Sequence, residues 1–341
     1  MADLPTRRNG CTIVVNDGAL TLTATSGTTV LAALAGHGVF LPSACGGRGL
    51  CGRCRVKVLE GGGPVQPAEE RKLSQAERAD SVRLACQCKV TPRLRIAIPD
   101  ELLSIREFAC RVERIVDLTP DMKQFRLALV TPASISFVPG QYLQLLTPVY
   151  EKSSEEIWRA YSISSDPRDS TAIELVIRLV PGGICTTYCF THLTQGDRVR
   201  LQGPHGNFHL SNSQAPMVMI AGGSGIAPIK CLLHHMANTG CTREAVFFFG
   251  ANHEHDLCCL DQMAAFAKVL PQFTFVPVVA MPKPDWTGAR GLVTEAVDTH
   301  FQSLAGHEAY LCGSPGMINA AIAVLNKHGM PDTQVFYDKF A

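Results

Sequence analysis

Cys45, Cys51 and Cys54 crowd into one short stretch, Cys45-Gly-Gly-Arg-Gly-Leu-Cys51-Gly-Arg-Cys54, and a fourth cysteine follows in Leu84-Ala85-Cys86-Gln87. Thiolates are the soft ligands that iron takes in its sulfur clusters. Three in a glycine-rich loop with one far along the chain is the ligand arrangement of a [2Fe-2S] cluster. The plant-type spacing is C-x4-C-x2-C plus a remote Cys; the first gap here is five. Glycines at 46, 47, 49 and 52 let backbone amides turn toward the sulfurs without a Cβ clash, and such hydrogen bonds tune a cluster's potential. The chemistry expected is single-electron transfer. A zinc site with the same four thiols is the plainer alternative, but structural zinc generally takes two compact C-x2-C pairs, and here one ligand is solitary. Cys88 rivals Cys86 as fourth ligand: in a strand the two share a face, so spacing leaves both open. Cys11, Cys110, Cys189, Cys231, Cys241, Cys258 and Cys259 read as buried small residues.

A second chemistry lies near the C-terminus. Ala221-Gly222-Gly223-Ser224-Gly225-Ile226-Ala227-Pro228 follows a strand-like run and opens a helix with apolar positions at Ile229, Leu232, Leu233 and Met236. That is the context a dinucleotide-binding loop requires, although the glycines alone also suit a structural strand-to-helix turn. The choice between NADH and NADPH is read after the next strand, at Gly250-Ala251-Asn252-His253-Glu254-His255-Asp256. NADPH sites place Arg against the 2′-phosphate; this stretch has no Arg and two acids, which favours NADH. His253 and His255 read as solvated loop residues.

The elements that must hold these loops fall into three segments. The chain has 341 residues, 46% apolar and 18% charged, enough for two or three ordinary globular domains. Its net charge of +1 gives no basic field for nucleic acid. No apolar run is long enough to span a membrane, and Met1 to Arg8 shows no signal-peptide core. Fourteen scattered cysteines without a signal suggest reduced thiols plus a metal site in the cytoplasm.

In residues 1–100, strands at Thr12–Val15 and Leu20–Thr23 flank a hairpin signal at Asn16-Asp17-Gly18. Val30–Leu34 reads as a short helix, Arg55–Leu59 as a strand and Gly61–Pro64 as its break; together they suit a small α+β grasp-type fold. Residues 101–212 carry short strands at 110–112, 122–127, 142–145 and 173–177, separated by glycine and proline, as in an antiparallel barrel. Glu151 to Trp158 reads as a surface loop. Residues 213–341 alternate apolar runs at 217–221, 245–249, 275–279 and 310–312 with helix-like stretches, the pattern of a parallel α/β sheet.

Arg159-Ala160-Tyr161-Ser162 resembles the R-x-Y-S flavin motif of the ferredoxin-NADP reductase superfamily, and Phe137-Val138-Pro139-Gly140-Gln141-Tyr142 resembles the strand before it. The resemblance implies that Arg159 pairs with the FAD pyrophosphate, that Tyr161 lies against the isoalloxazine and that Ser162 hydrogen-bonds near flavin N5. Arg offers phosphate a bidentate fork and Tyr a flat face with a polar tip. Gly183-Ile184-Cys185-Thr186 resembles the second pyrophosphate loop, with Thr where the family more often has Ser; there, amides at a helix start receive the anion. The loop with Gly222, Gly223, Gly225 and Pro228 resembles the superfamily's G-G-x-G-x-A-P nicotinamide site. Cys312-Gly313-Ser314-Pro315-Gly316-Met317 resembles its C-G-x-P-x-M, which places Cys312 beside the nicotinamide at the hydride-transfer site, with Gly313 and Met317 in the cofactor-binding turn. Phe340 corresponds to a C-terminal aromatic that relatives place near the flavin, or packs as a simple tail.

Ferredoxin first and reductase second is an order shared by two groups. One is the F subunit of the sodium-translocating NADH:quinone oxidoreductase, which the C-x5-C-x2-C spacing, Ile98-Pro99-Asp100-Glu101 and Met317-Ile318-Asn319-Ala320-Ala321 resemble. The other is the reductase component of multicomponent bacterial monooxygenases. The first group carries an N-terminal membrane helix, for which no apolar run exists here. The expectation is therefore a soluble cytoplasmic NADH-dependent reductase, with electrons running from NADH through FAD and the cluster to a protein acceptor, an oxygenase component. A quinone reductase or stand-alone diaphorase is the alternative. Arg48, Arg53, Arg55 and Lys57 surround the cluster loop and read as a solvated face or a docking site for an acidic partner.

Overall fold

A computed structural model of the chain describes residues 10–43 and 45–340. The N-terminal stretch Met1 to Arg8 lies outside them. The chain forms two compact units. One holds residues up to 108 with 144–160 and 200–205; the other holds 109–143, 161–199 and the residues from 206 onward.

The first sheet has the order β2-β1-β5-β3-β4. Its elements are β1 (Gly10–Val15), β2 (Leu20–Thr25), α1 (Val30–Ala35), β3 (Arg55–Glu60), α2 (Pro67–Glu70), α3 (Gln75–Ala79), β4 (Val82–Leu84) and β5 (Arg93–Ala97). The β1–β2 hairpin turns at Asn16-Asp17-Gly18, all with positive φ, as the Asp-Gly signal requires. β5 lies parallel to β1, and α1 closes the grasp over a core of Ile13, Val15, Leu34, Leu84, Leu94 and Ile96. Thr29 caps α1, accepting from the Ala32 N–H. Cys86 and Cys88 sit in the turn after β4, not in a strand, so the expectation of a shared face falls away. β4 ends at Leu84 because Glu69, fully buried, captures the Leu84 N–H and both the Nε and Nη2 of Arg83.

The second sheet, ordered β10-β7-β6-β11-β8-β9, comprises β6 (Arg106–Thr119), β7 (Met122–Thr131), β8 (Tyr142–Thr147), β9 (Ile157–Ser162), β10 (Ala172–Arg178), the helix α4 (Ile184–Thr191) and β11 (Arg198–His205). β6, β7 and β10 pair antiparallel. An isolated bridge from Ile163 to Leu175 brings the end of β9 to β10, so the sheet curls into a barrel. The polar interruption is shorter than its composition suggests: Ile157 and Trp158 already belong to β9.

The third sheet has the order β15-β14-β13-β12-β16-β17, and its neighbouring strands all run parallel. It is built from β12 (Met217–Gly222), α5 (Ile226–Thr239), β13 (Ala245–Ala251), α6 (Leu260–Val269), β14 (Phe273–Val279), β15 (Ala289–Arg290), α7 (Val293–His300), β16 (Glu308–Gly313), α8 (Pro315–Lys327) and β17 (Val335–Lys339). Two apolar layers, one on each face, explain why β12 and β13 read as continuous apolar runs. β17 has no counterpart among the strands expected from the sequence. The tail is a strand parallel to β16, with Phe336 stacked on Tyr310 at 5.1 Å. Cys241 and Cys259 are half-buried rather than core residues.

Within the second unit, the barrel strands and the parallel sheet are joined by specific polar contacts. Buried Lys230 on α5 donates to Glu174 of β10 at 3.0 Å, and Asn238 donates to Asp166 at 2.6 Å. No helix of the described residues is long and apolar enough to cross a membrane.

Candidate redox site

The four cysteines of the loop and turn meet two by two. The thiols of Cys45 and Cys51 share a hydrogen bond, as do those of Cys54 and Cys86. Two sulfurs on each of two irons is what a [2Fe-2S] cluster needs. Among the described residues, no three His, Cys, Asp or Glu side chains converge on one point as a single metal ion would require. Backbone amides face the sulfurs as well: those of Arg48, Leu50 and Cys51 toward Cys45, and that of Gly49 toward Cys86. Burial pushes the Cys45 thiol up, but those hydrogen bonds outweigh it and leave the group below its ordinary value. The Cys54 hydrogen bond pulls Cys86 down to about 6, while Cys54, holding the shared proton, is pushed far up.

Gly46, Gly47, Gly49 and Gly52 all have positive φ, the backbone conformation that lets the loop fold around the sulfurs. Gln87 closes the other side, its amide 3.4 Å from the Cys86 sulfur. Cys88 points elsewhere: its thiol lies 3.4 Å from the Gly62 carbonyl, and burial raises its pKa. Cys45, Cys54 and Cys86 are buried, whereas Cys51 is half-exposed.

The flavin motif occupies β9. Arg159 and Tyr161 are half-buried, and Ser162 is buried at the strand's end. Gly183 caps the start of α4. A Cβ there would meet Thr186 Oγ1 at 2.6 Å and the Val180 carbonyl at 3.0 Å, so only glycine leaves the helix start uncovered for an anion. Thr186 accepts from the Val180 N–H and thereby fixes the turn. The Cys185 side chain is in the core.

The nucleotide loop lies where the sheet topology demands. β12 has β13 on one side and β16 on the other, so the chain reverses direction of travel at the carboxyl ends of β12 and β16, the crevice where open α/β sheets bind ligands. Gly222, Gly223 and Gly225 leave β12 there, and Cys312 and Gly313 leave β16. A Cβ on Gly225 would stand 2.2 Å from the Cys312 carbonyl, and one on Gly222 3.1 Å from Met317 Sδ. The glycines thus let the two strand ends touch. Pro228 is buried in the first turn of α5. Ser314 caps α8 by accepting from the Met317 N–H. Cys312 is completely buried, and burial pushes its thiol well up.

Two site residues escaped sequence reasoning. Asp338 stands opposite Cys312 in the β16–β17 register, and Ser162 Oγ lies 3.4 Å from its carboxylate. The Val335-Phe336-Tyr337 run ahead of it is the β-branched and aromatic signal that could have marked the strand. Arg178, paired with Asp121 at 2.6 Å, presses on Gly223. Phe340 is half-buried, and its N–H is held by the Gly313 carbonyl at 2.9 Å. In the loop after β13, His253 and His255 stack on each other, and Glu254 accepts from the Lys283 N–H at 2.6 Å.

Three family models match in succession: a 2Fe-2S iron-sulfur cluster binding domain over residues 13–91, an oxidoreductase FAD-binding domain over 109–210 and an oxidoreductase NAD-binding domain over 219–322. The phenol hydroxylase P5 protein of Acinetobacter pittii is 35% identical over 92% of this chain and 89% of its own length. The chain belongs to the iron-sulfur flavoprotein reductases. The F subunit of the sodium-translocating NADH-quinone reductase of Neisseria meningitidis is 30% identical over 96% of the chain and 91% of its own length. The crystal structure of the Amycolatopsis cytochrome P450 reductase GcoB superposes with a TM-score of 0.79 at 30% identity, covering 97% of this chain and 98% of that one. This iron-sulfur flavoprotein reductase is an oxidoreductase with a [2Fe-2S] cluster, FAD and NAD as cofactors, and the thiol pairs, the open start of α4 and the glycine-lined crevice fit those groups.

Proposed function

We propose that the protein is a cytoplasmic NADH-dependent reductase that delivers single electrons to the oxygenase component of a multicomponent monooxygenase. When bound, FAD takes a hydride from NADH and releases single electrons to the [2Fe-2S] cluster, which passes them to the acceptor. The observation that carries the reading is the pairing of Cys45 with Cys51 and of Cys54 with Cys86 on a chain that also holds the flavin and nucleotide loops. Residues 1–100, 101–212 and 213–341 form the cluster, flavin and nucleotide domains.

Cys45, Cys51, Cys54 and Cys86 hold the irons. Arg159 pairs with the FAD pyrophosphate, and Gly183, Cys185 and Thr186 at the start of α4 form a second binding element for the cofactor. Tyr161 stacks on the flavin, and Ser162 binds its reactive edge. Gly222, Gly223, Gly225, Pro228, Gly313 and Met317 shape the crevice for NADH, and Cys312 and Asp338 line its end. Phe340, tied to Gly313, covers the flavin until the nicotinamide arrives. Glu254, in the loop after β13, accepts a ribose hydroxyl and repels a 2′-phosphate. The fourteen thiols suit a reducing compartment. The oxygenase reading is supported by the phenol hydroxylase relatives at 35% and 34% identity. A quinone as acceptor is the second reading, supported by the quinone-reductase relatives at 30%.

The test uses the purified holoprotein. NADH should reduce the flavin much faster than NADPH. Consumption of NADH should be coupled to phenol hydroxylation when the oxygenase component of a phenol hydroxylase is added. Rapid turnover with a short-chain quinone, and none with the oxygenase, would transfer the conclusion to the second reading.

A further inference from the structure

The cluster region is charged differently from the rest of the chain. Residues 10–97 carry eleven Lys and Arg against six Asp and Glu, a net of +5, while the whole chain nets only +1. Much of that excess gathers at one place. Cys51 is the one thiol of the four that is not buried. It stands between Leu50, a large apolar side chain 58% exposed, and the exposed Arg53, with exposed Arg48 three residues before it. Lys72 completes the ring from another segment, because a Cβ on Gly52 would lie 3.4 Å from Lys72 Cβ. Arg55 ties these parts together by donating to the Gly52 and Lys72 carbonyls.

The acids nearby do not neutralise the ring. Glu77 is engaged by Arg55 at 2.8 Å, and Asp80 by Lys57. Glu69 is buried on Arg83. Glu70 on α2 is the remaining exposed carboxylate in that segment. Among the described residues Arg48, Arg53 and Lys72 have no acidic partner. Arg48 only donates to the Cys45 carbonyl at 2.9 Å.

We infer that the exposed edge at Cys51, with Leu50 at its centre and Arg48, Arg53 and Lys72 around it, is the docking surface for an electron acceptor whose own redox entry is rimmed by carboxylates. This rests on the assignment of the cluster to the four cysteines. Long-range electron transfer requires the cluster's exposed edge to approach the acceptor, and Cys51 is that edge. An apolar centre ringed by charges is the anatomy of a transient interface. Unpaired cations there act on encounter more than on final affinity: they steer an acidic surface to the edge and repel a basic one.

The acceptor's chemistry is tested with two probe proteins, acidic cytochrome b5 and basic cytochrome c, reduced by the holoprotein with NADH. Cytochrome b5 reduction should slow as salt is raised from about 20 mM to about 300 mM, because the Debye length shrinks well below the reach of the ring. Arg53→Glu with Lys72→Glu should lower the cytochrome b5 rate about tenfold at low salt and raise the cytochrome c rate. The rate of flavin reduction by NADH and the visible and EPR signals of the cluster should not change. Arg53→Gln with Lys72→Gln should fall between wild type and the reversal. Equal rates for wild type and charge reversal, in a protein that keeps its cluster signal, would overturn the docking surface. Loss of the cluster signal from the wild-type holoprotein would instead overturn the cluster assignment beneath it.

Discussion

Ser162 Oγ lies 3.4 Å from Asp338 Oδ2, so a long hydrogen bond ties the end of β9 to the last strand, β17. Asp338 in turn stands opposite Cys312. Three residues far apart in sequence are thereby gathered where the flavin strand approaches the nucleotide crevice. β17 has this position because it pairs with β16 and because Phe336 stacks on Tyr310.

If these side chains position the reacting rings, removing them should slow chemistry more than binding. Ser162→Ala is expected to lower the rate of flavin reduction by NADH about 10- to 100-fold, the equivalent of one hydrogen bond worth about 1–3 kcal/mol in the transition state. The apparent NADH affinity should change little. Asp338→Ala should act in the same direction, and Ser162→Ala added to it should cost less than it does alone, since the pair acts as a unit. Stopped-flow absorbance of the flavin separates rate from affinity; a pure loss of affinity would remove both residues from the reaction.

Cys86 and Cys88 differ in what surrounds them, so their replacement should differ too. Cys86 pairs with Cys54, whereas Cys88 lies against the Gly62 carbonyl. Cys86→Ser should yield protein with the flavin spectrum but with iron and the cluster's visible bands lost. Cys88→Ser should keep both, at a modest cost for a hydroxyl in a buried site of about 1–3 kcal/mol. Iron content and the visible spectrum decide, and cluster loss from Cys88→Ser alone would reverse the ligand assignment.

The cluster loop is legible in the sequence because its chemistry is local: thiols and glycines at fixed spacing need only one loop and one turn. The three architectures are legible for a related reason, since alternation in the barrel and apolar runs in the parallel sheet are written in consecutive residues. What stays hidden depends on partners distant in sequence. The choice between Cys86 and Cys88 turns on where β4 ends, which is set by Glu69 from another segment. The strand of Asp338 is hinted at by Val335-Phe336-Tyr337, but the residue's role exists only beside Cys312 and Ser162, which no local pattern reveals. Lys230, on α5, is buried on Glu174, a partner 56 positions away in sequence. Trp158 reads as loop because the acids before it dominate the composition, yet it lies in β9.

Gly225 and Gly222 look interchangeable in the motif, but the structure separates them. A Cβ at 225 would meet backbone, the Cys312 carbonyl at 2.2 Å, while one at 222 would meet the flexible Met317 Sδ at 3.1 Å. Gly225→Ala must therefore push β16 away from the loop. The expected cost is about 1–3 kcal/mol, together with a large loss of NADH affinity. Gly222→Ala should be mild on stability. Thermal unfolding and NADH titration of the two variants check this, and equal effects would show that steric contact with β16 is not what the glycine at 225 serves.

Glu69 makes the stability of the cluster domain depend on pH in the acid range. Burial raises its pKa, but hydrogen bonds from Arg83 and from the Gln66 and Leu84 N–H groups outweigh that and hold the carboxyl below its ordinary value. A depressed folded-state pKa contributes stability that is complete above the unfolded value, about 4.3 for a glutamate, and is lost as pH falls through the lower folded value. Glu69→Gln leaves Arg83 buried without its counter-charge, which should cost about 3–5 kcal/mol at neutral pH. The gap between wild type and variant should then close below about pH 4 as wild-type Glu69 takes up its proton. Urea unfolding followed by far-UV circular dichroism from neutral pH downward measures that gap. A gap of the same size at both ends of the range would mean that packing, and not the Glu69 charge, holds β4 and the Cys86 turn in place.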